Sequence, residues 1–302
     1  MKDQLKASAN KWTILKILKW TTSYFQTHKI DSSRAAAEIL LAHVLKLDRI
    51  ELYIRYDQPL SKRELEFFKA LIKRRVAREP VAYIVGIKEF WAMDIAVTKD
   101  VLIPRPETEH LVEAALAFLE ADSAAELNNH PKRILELGTG SGAIICALAS
   151  QRPGNIFIAS DRSIKAIELA AKNAENHKLE GKINFFSGDW FLPLKNDNFL
   201  FDVIISNPPY IKTGDIGNLQ PEIFMNEPIM ALDGGEDGLG PLKHIITNAY
   251  CSLKTGGSLL LEIGCDQKED VQKIIDFCGV YEKVEFIKDY SGYYRIAQMK
   301  KK

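Results

Sequence analysis

Apolar residues recur in two different rhythms along this chain. Up to Pro80 the rhythm is helical. Ala37, Leu40, Leu41, Val44 and Leu45 share one helix face, and Asp31 is the predicted cap. Ser61-Lys62-Arg63-Glu64 is a capping box opening a second helix with Leu65, Phe68 and Ile72 inward. The stretch from Thr13 to Trp20 is interrupted by lysines about every third residue. That is an amphipathic helix packed on its own domain, not a signal-peptide core. No glycine precedes Gly86, which suits a helical bundle over residues 1–80. Residues 82–103 alternate loosely and include Val, Ile, Phe and Trp, so the linker 81–107 is expected to carry a strand or hairpin. Pro104 and Pro106 break that pattern. A helix is expected from about Thr108 to Glu120, then a polar break from Asn128 to Pro131.

From Arg133 the rhythm changes. Apolar runs lie at 133–137, 155–160, 182–187, 201–206, 258–263, 282–287 and 293–298. Helix-like stretches around 142–150, 163–177 and 239–253 separate the first five. Such alternation predicts an α/β fold with a mostly parallel, Rossmann-like sheet covered on both faces. The last two runs are close together and predict an antiparallel C-terminal hairpin. The second domain is therefore expected over 108–302, after the all-α bundle.

Composition excludes little further. Of 302 residues, 46% are apolar and 26% charged, which rules out a disordered or collagen-like chain. Basic and acidic residues both number 40, so the whole chain is not an electrostatic nucleic-acid binder. The charge is uneven: residues 1–80 carry a net +8 and the remainder a net −8. Cys146, Cys251, Cys265 and Cys278 form no C-x-x-C pair and no zinc-ligand spacing. They are expected to be free buried thiols in a reducing cytoplasm. The six histidines show no paired spacing, so no metal is assigned, and no apolar run is long enough to span a membrane.

Candidate chemistry begins where the first strand of the sheet ends, in Glu136-Leu137-Gly138-Thr139-Gly140-Ser141-Gly142. Glycines there allow a tight turn and close approach of a ligand to the backbone. The spacing satisfies a dinucleotide loop through Gly138, Gly140 and Ala143. It also satisfies an S-adenosylmethionine loop through Glu136, Gly138, Gly140 and Gly142. Glu136 favours the second, because a carboxylate suits the cationic amino group of a methionine moiety better than a pyrophosphate. Asp161, at the end of the second strand, can accept from ribose hydroxyls or cap the helix after Ser163; both roles are open. Asp189 can accept from an adenine amino group. Trp190 either packs on the purine or fills the core.

The fourth strand runs into Asn207-Pro208-Pro209-Tyr210. The prolines supply no N–H and leave carbonyls free to accept. Asn207 adds a side-chain carbonyl, so two acceptors can grip both hydrogens of a planar NH₂ group. Tyr210 offers a flat face to it. Such nitrogens occur in exocyclic base amines and in carboxamides.

Together these residues resemble the release factor glutamine methyltransferases. The resemblance rests on Arg78 to Gly86, Val101 to Glu109, Glu136 to Gly142, Asn207 to Tyr210, Glu227-Pro228 and Ala231 to Gly238. The Pro-Arg-Pro-Glu-Thr-Glu segment at 104–109 is the discriminating mark. An N6-adenine DNA or RNA methyltransferase, the alternative, shares only the glycine loop and Asn-Pro-Pro-Tyr. The resemblance implies methylation of the Gln side-chain amide in the Gly-Gly-Gln motif of class 1 peptide chain release factors, with S-adenosylmethionine as donor. It implies no membrane and no required nucleic acid. It puts Gly138 to Gly142, Asp161 and Trp190 on the cofactor, Asn207 to Tyr210 on the substrate amide, Asn207 also on the cofactor, and Phe90 near the target glutamine. A dehydrogenase does not explain Asn207 to Tyr210, and intact motifs argue against a degenerate binding module.

Three further expectations concern the loops. Arg105 and Glu107 read as a surface ion pair, and Glu109 as a surface charge. Residues 211–238 read as a long irregular segment, in which 233–238 are turns or part of a cover over the site. The basic bundle is expected to dock the protein substrate.

Overall fold

The computed structural model describes residues 11–125, 130–194 and 199–302, with the backbone alone for 122–125. Residues 1–10 of the expected bundle and Asn128 and Asn129 of the expected polar break lie outside these. The chain divides into two compact units. One runs up to Gly86 and takes in Gln220–Asn226; the other comprises Ile87–Leu219 and Glu227–Lys302.

The helical unit contains α1 (Ile14–Thr27), α2 (Ser33–Leu45), α3 (Arg49–Ile54), α4 (Lys62–Val76) and α5 (Val81–Val85). Helix α4 opens on the expected box: Ser61 Oγ accepts from the Glu64 N–H at 3.2 Å, and Glu64 accepts from the Ser61 N–H at 2.6 Å. Phe68 and Ile72 are buried and Leu65 packs on the same core. Asp31 does not cap α2. Ser32 holds the N-cap position in a left-handed conformation, with φ of 49°, and offers no side-chain cap. The unit continues past Pro80 because α5 buries Ile84 in the core formed by Phe25, Leu40, Leu41 and Phe68. Glu38 lies buried on α2 and binds Arg34 at 2.9 Å, Arg49 at 2.6 Å and the Tyr53 hydroxyl. Burial alone would raise its carboxyl, but these three donors outweigh burial and bring it down to about 2. Arg75 pairs with Glu222 at 2.9 Å, which ties Gln220–Asn226 into this unit.

The second unit opens with a hairpin, β1 (Ile87–Phe90) and β2 (Met93–Ala96), followed by a 3₁₀ turn at Pro106–Thr108 and α6 (Glu109–Ala125). The hairpin turn places Trp91 and Ala92 at positive φ, and Glu109 accepts from the Trp91 N–H at 2.8 Å. Glu109 is thus a backbone partner rather than a surface charge.

One seven-stranded sheet follows, built from β3 (Arg133–Leu137), β4 (Ile156–Asp161), β5 (Ile183–Ser187), β6 (Phe201–Ser206), β7 (Leu253–Glu262), β8 (Tyr281–Lys288) and β9 (Tyr294–Lys301). Its order is β5-β4-β3-β6-β7-β9-β8. Neighbours from β5 to β7 are parallel, while β9 runs antiparallel to both β7 and β8. Every residue of β6 is buried, as a central parallel strand requires. The covering helices are α6, α7 (Ala143–Gln151), α8 (Ile164–Asn176), α10 (Gly240–Asn248) and α11 (Lys268–Cys278). Helix α11 is absent from the sequence expectation. Charged residues dilute its apolar pattern, which reduces to Val271 and Ile275 at helical spacing. The segment 211–238 is not irregular: 3₁₀ turns at Thr213–Asn218 and Ile229–Ala231 flank α9 (Pro221–Asn226). All four cysteines are free thiols. Only Cys146 is fully buried; Cys251 and Cys265 are exposed, against expectation.

Candidate functional site

The chain passes from β3 to β4 and β5 on one side of the sheet, then crosses to β6 on the other. The crevice at the carboxyl ends of β3 and β6 is where an open α/β sheet binds ligands. A cavity of about 400 Å³ lies there. Its lining brings together the glycine loop from Gly138 to Ser141, with Glu136, Asp161, Asp189, Trp190, Asn207 and Pro209. Gly142, Pro208, Tyr210 and Phe90 are not part of that lining. Phe90 is only 1% exposed, so its ring is a core side chain and is not presented to this cavity.

Each carboxylate in the glycine loop has a structural task. Glu136 is 1% exposed. Its Oε2 accepts from the Thr139 hydroxyl at 2.6 Å and from the Ile145 N–H at 3.2 Å. Burial pushes its carboxyl up to about 8, against the pull of those two donors. Glu136 thus braces loop and helix while also lining the cavity, where a cationic amino group would meet it. Asp161 likewise serves the backbone: Oδ2 accepts from the Gly140 N–H at 2.9 Å and Oδ1 from the Ser163 N–H at 2.8 Å. Its carboxyl is raised by burial against the pull of these N–H groups. The helix cap itself is Ser163, whose side chain accepts from the Ala166 N–H.

Two glycines show different reasons for being glycine. Gly140 has φ of +54°, and a Cβ there would meet nothing within 4 Å, so the backbone is bare toward the cavity. Gly142 has φ of +78°, and a Cβ would come within 2.9 Å of Ala170 Cβ on α8. Gly142 thus serves loop-to-helix packing. Asn173, one turn further along α8 and fully buried, donates to the Ser141 carbonyl at 2.8 Å and exchanges two bonds with Ala96. The sequence reading missed it. Its signal is a polar residue on a helix face otherwise made of Ala166, Ala170 and Ala174.

Asp189 and Trp190 are half-buried at the cavity edge. Trp190 adopts φ of 48°, a costly conformation for a bulky residue and one that clusters at ligand sites. Its ring lies 3.8 Å from the position a Cβ on Gly138 would take, and also packs on the core. The indole thus belongs to the core and also lines the cavity.

The Asn207 loop is held from several directions. Asn207 Nδ2 donates to Thr108 Oγ1 at 3.1 Å. The Tyr210 hydroxyl donates to Glu262 Oε1 at 3.2 Å, and the ring packs on the core. Gln267 Nε2 donates to the Tyr210 and Gly238 carbonyls, both at 3.0 Å, and its Oε1 accepts from the Gly264 N–H. Gln267 thereby joins the Asn207 loop to the 233–238 turns. Arg105 pairs with Glu227 at 2.6 Å, not with Glu107, and Glu227 also accepts from the Ile103 N–H. Thr108, Glu262 and Gln267 went unread in the sequence because each acts through a partner distant in the chain. Among the described residues no group of three or more His, Cys, Asp or Glu is placed to hold a metal ion.

Comparison with known proteins bears on both halves. Residues 16–86 match the PrmC N-terminal domain and residues 122–236 the methyltransferase small domain. A release factor glutamine methyltransferase of Geobacter sulfurreducens is 42% identical, covering 86% of this chain and 87% of its own. The same-named protein of Rhodopirellula baltica is 37% identical, covering 96% and 97%. Among solved structures, the human methyltransferase 10 domain containing protein aligns with a TM-score of 0.51 over 77% of this chain and 96% of its own. At 18% identity that likeness concerns the fold alone.

Proposed function

The chain belongs to the release factor glutamine methyltransferase family, and from that premise we propose that it methylates the side-chain amide nitrogen of the Gly-Gly-Gln glutamine in class 1 peptide chain release factors, in the cytoplasm and with S-adenosylmethionine as donor. One observation carries the reading: Asn207 lines the same cavity as the glycine loop, Asp161, Asp189 and Trp190. A methyl donor and an amide NH₂ can therefore meet within one enclosure.

The residues present fit this donor. Gly140 offers bare backbone at φ +54° with open space beside it. Two acidic side chains, Asp161 and Asp189, offer acceptors for hydroxyl and amino groups, and the Trp190 indole offers a face for a purine. The cavity volume falls in the range of small-molecule pockets. When bound, S-adenosylmethionine supplies a methyl group already activated on a sulfonium centre.

The protein's task is then positioning and electrostatics. An amide nitrogen is a weak nucleophile because its lone pair is delocalised into the carbonyl. Asn207 Oδ1 and the Pro208 carbonyl accept from the substrate NH₂ and stabilise the positive charge that develops on nitrogen. Pro208 and Pro209 fix the backbone that carries these acceptors. The nitrogen gives up one of its two protons in the course of the exchange.

Labelled S-adenosylmethionine should transfer its methyl to an intact release factor, but not to that factor with the motif glutamine substituted, nor to DNA. Label on DNA would favour the N6-adenine reading, and label on the substituted factor would remove the motif glutamine as acceptor.

A further inference from the structure

Asn207 poses a problem that its own side chain cannot solve. An amide has an oxygen and an NH₂ at nearly equal positions, and only the oxygen can accept from a substrate NH₂. Turned the other way, the side chain would set donor against donor. Some neighbour must decide which end faces the cavity.

That neighbour is Thr108, 4% exposed in the turn after Pro106, whose Oγ1 receives Asn207 Nδ2 at 3.1 Å. A hydroxyl can donate as well as accept, so Thr108 alone does not settle the choice either. Behind it lies Glu262, 1% exposed at the end of β7. Its Oε1 takes the Tyr210 hydroxyl at 3.2 Å. Its Oε2 is buried and, among the described residues, has no hydrogen-bond partner of good geometry. Of the groups that favour its charge, the Thr108 hydroxyl acts most strongly. An ionised carboxylate only accepts, so it draws the Thr108 proton toward itself and leaves the Thr108 lone pairs to Asn207.

We propose that Glu262 and Thr108 form a buried positioning relay that holds the Asn207 amide with its nitrogen inward and its oxygen toward the cavity. The inference rests on the reading of Asn207 as the acceptor of the substrate amide. Glu262 is not part of the cavity lining and acts through its neighbours, while Thr108 reaches the cavity wall and holds Asn207 from there. Four groups act on Glu262 besides burial: Thr108, Tyr210 and Arg295 favour its charge, and Glu107 opposes it. With burial dominant, the carboxyl titrates at about 7. Once protonated it can donate to Thr108 Oγ1. That releases the Thr108 proton toward Asn207 and loosens the amide.

The test uses the full chain free of substrate. The Asn207 side-chain NH₂ resonance, identified by its loss in Asn207→Ala, should shift with pH through about 7. The shift should vanish in Glu262→Gln and in Thr108→Val, and persist in Thr108→Ser. In turnover with a release factor, Thr108→Val should lower kcat about 10- to 100-fold, and Thr108→Ser should restore most of it. A resonance indifferent to pH, or one that still titrates in Glu262→Gln, overturns the relay; so does a Thr108→Val enzyme with wild-type kcat. Wild-type protein that leaves the release factor unmethylated while the resonance titrates would strike the functional reading and leave the relay standing.

Discussion

In the proposed mechanism turnover depends most on Asn207. Its oxygen there would be a preorganised partner for charge that exists only in the transition state, so its loss should appear in kcat rather than in cofactor binding. Removal of one such partner typically costs about 2.7–4 kcal/mol, or roughly 100- to 1,000-fold. Asn207→Ala should fall in that range while calorimetry finds cofactor affinity nearly unchanged. Turnover close to wild type would remove Asn207 from the mechanism. Two other residues make stability depend on pH. Unfolded, the Glu136 and Glu262 carboxyls lose their protons near 4.5; folded, they keep them to about 8 and about 7. Between those limits the folded state binds more protons than the unfolded state, so stability falls as pH rises. Each unit of separation is worth about 1.4 kcal/mol. Denaturant unfolding of the free protein should therefore show stability declining from pH 5 to 8, with a flatter profile in Glu136→Gln. Equal slopes in variant and wild type would show that Glu136 is ionised in the fold. Glu38 has the opposite sign: its contribution is complete above 4.5 and is lost as pH falls through about 2.

At the scale of elements, the glycine loop is a packing device before it is a binding device. A methyl group on Gly142 would sit 2.9 Å from Ala170 Cβ and 3.1 Å from Ala170 Cα, in a backbone conformation that disfavours any side chain. The loop and α8 would have to separate. Gly142→Ala should cost about 1–3 kcal/mol of stability, and should weaken cofactor binding as well, because Gly140 and Ser141 move with the loop. Thermal unfolding and calorimetry check the two parts. An unchanged melting temperature would mean that α8 yields freely. The elements themselves were legible to different degrees. Helix α4 and strand β6 follow from local signals, a reciprocal cap and an unbroken apolar run. Helix α11 does not, because only Val271 and Ile275 are fully buried on it, while Phe277 points outward and charged residues interrupt the apolar pattern. The Asp31 cap fails for a related reason. Ser33 Oγ donates back to the Ile30 carbonyl at 2.5 Å, and the chain enters α2 through a left-handed Ser32.

At the scale of the whole molecule, the net +8 of residues 1–80 gives the helical unit a field that a protein substrate can use. Lys69 and Lys73 are exposed one turn apart on α4. Charge complementarity acts mainly on encounter rate and fades with salt. Lys69→Glu with Lys73→Glu should lower kcat/KM for an intact release factor at low salt, flatten its salt dependence, and leave a short Gly-Gly-Gln peptide almost unaffected. An equal loss for the peptide would point to damage at the active site instead. What the amino-acid order determined by itself was local in origin: capping, periodicity, the strand-to-helix glycine turn and the backbone rigidity of Asn207-Pro208-Pro209. Each depends on residues within a few positions of one another. The buried partnerships were decided only by the tertiary structure. Arg105 meets Glu227, Asn207 meets Thr108, Tyr210 meets Glu262, and Gln267 joins two loops. A buried polar group must find a partner, but which partner it finds depends on how the sheet and its crossovers bring distant segments together.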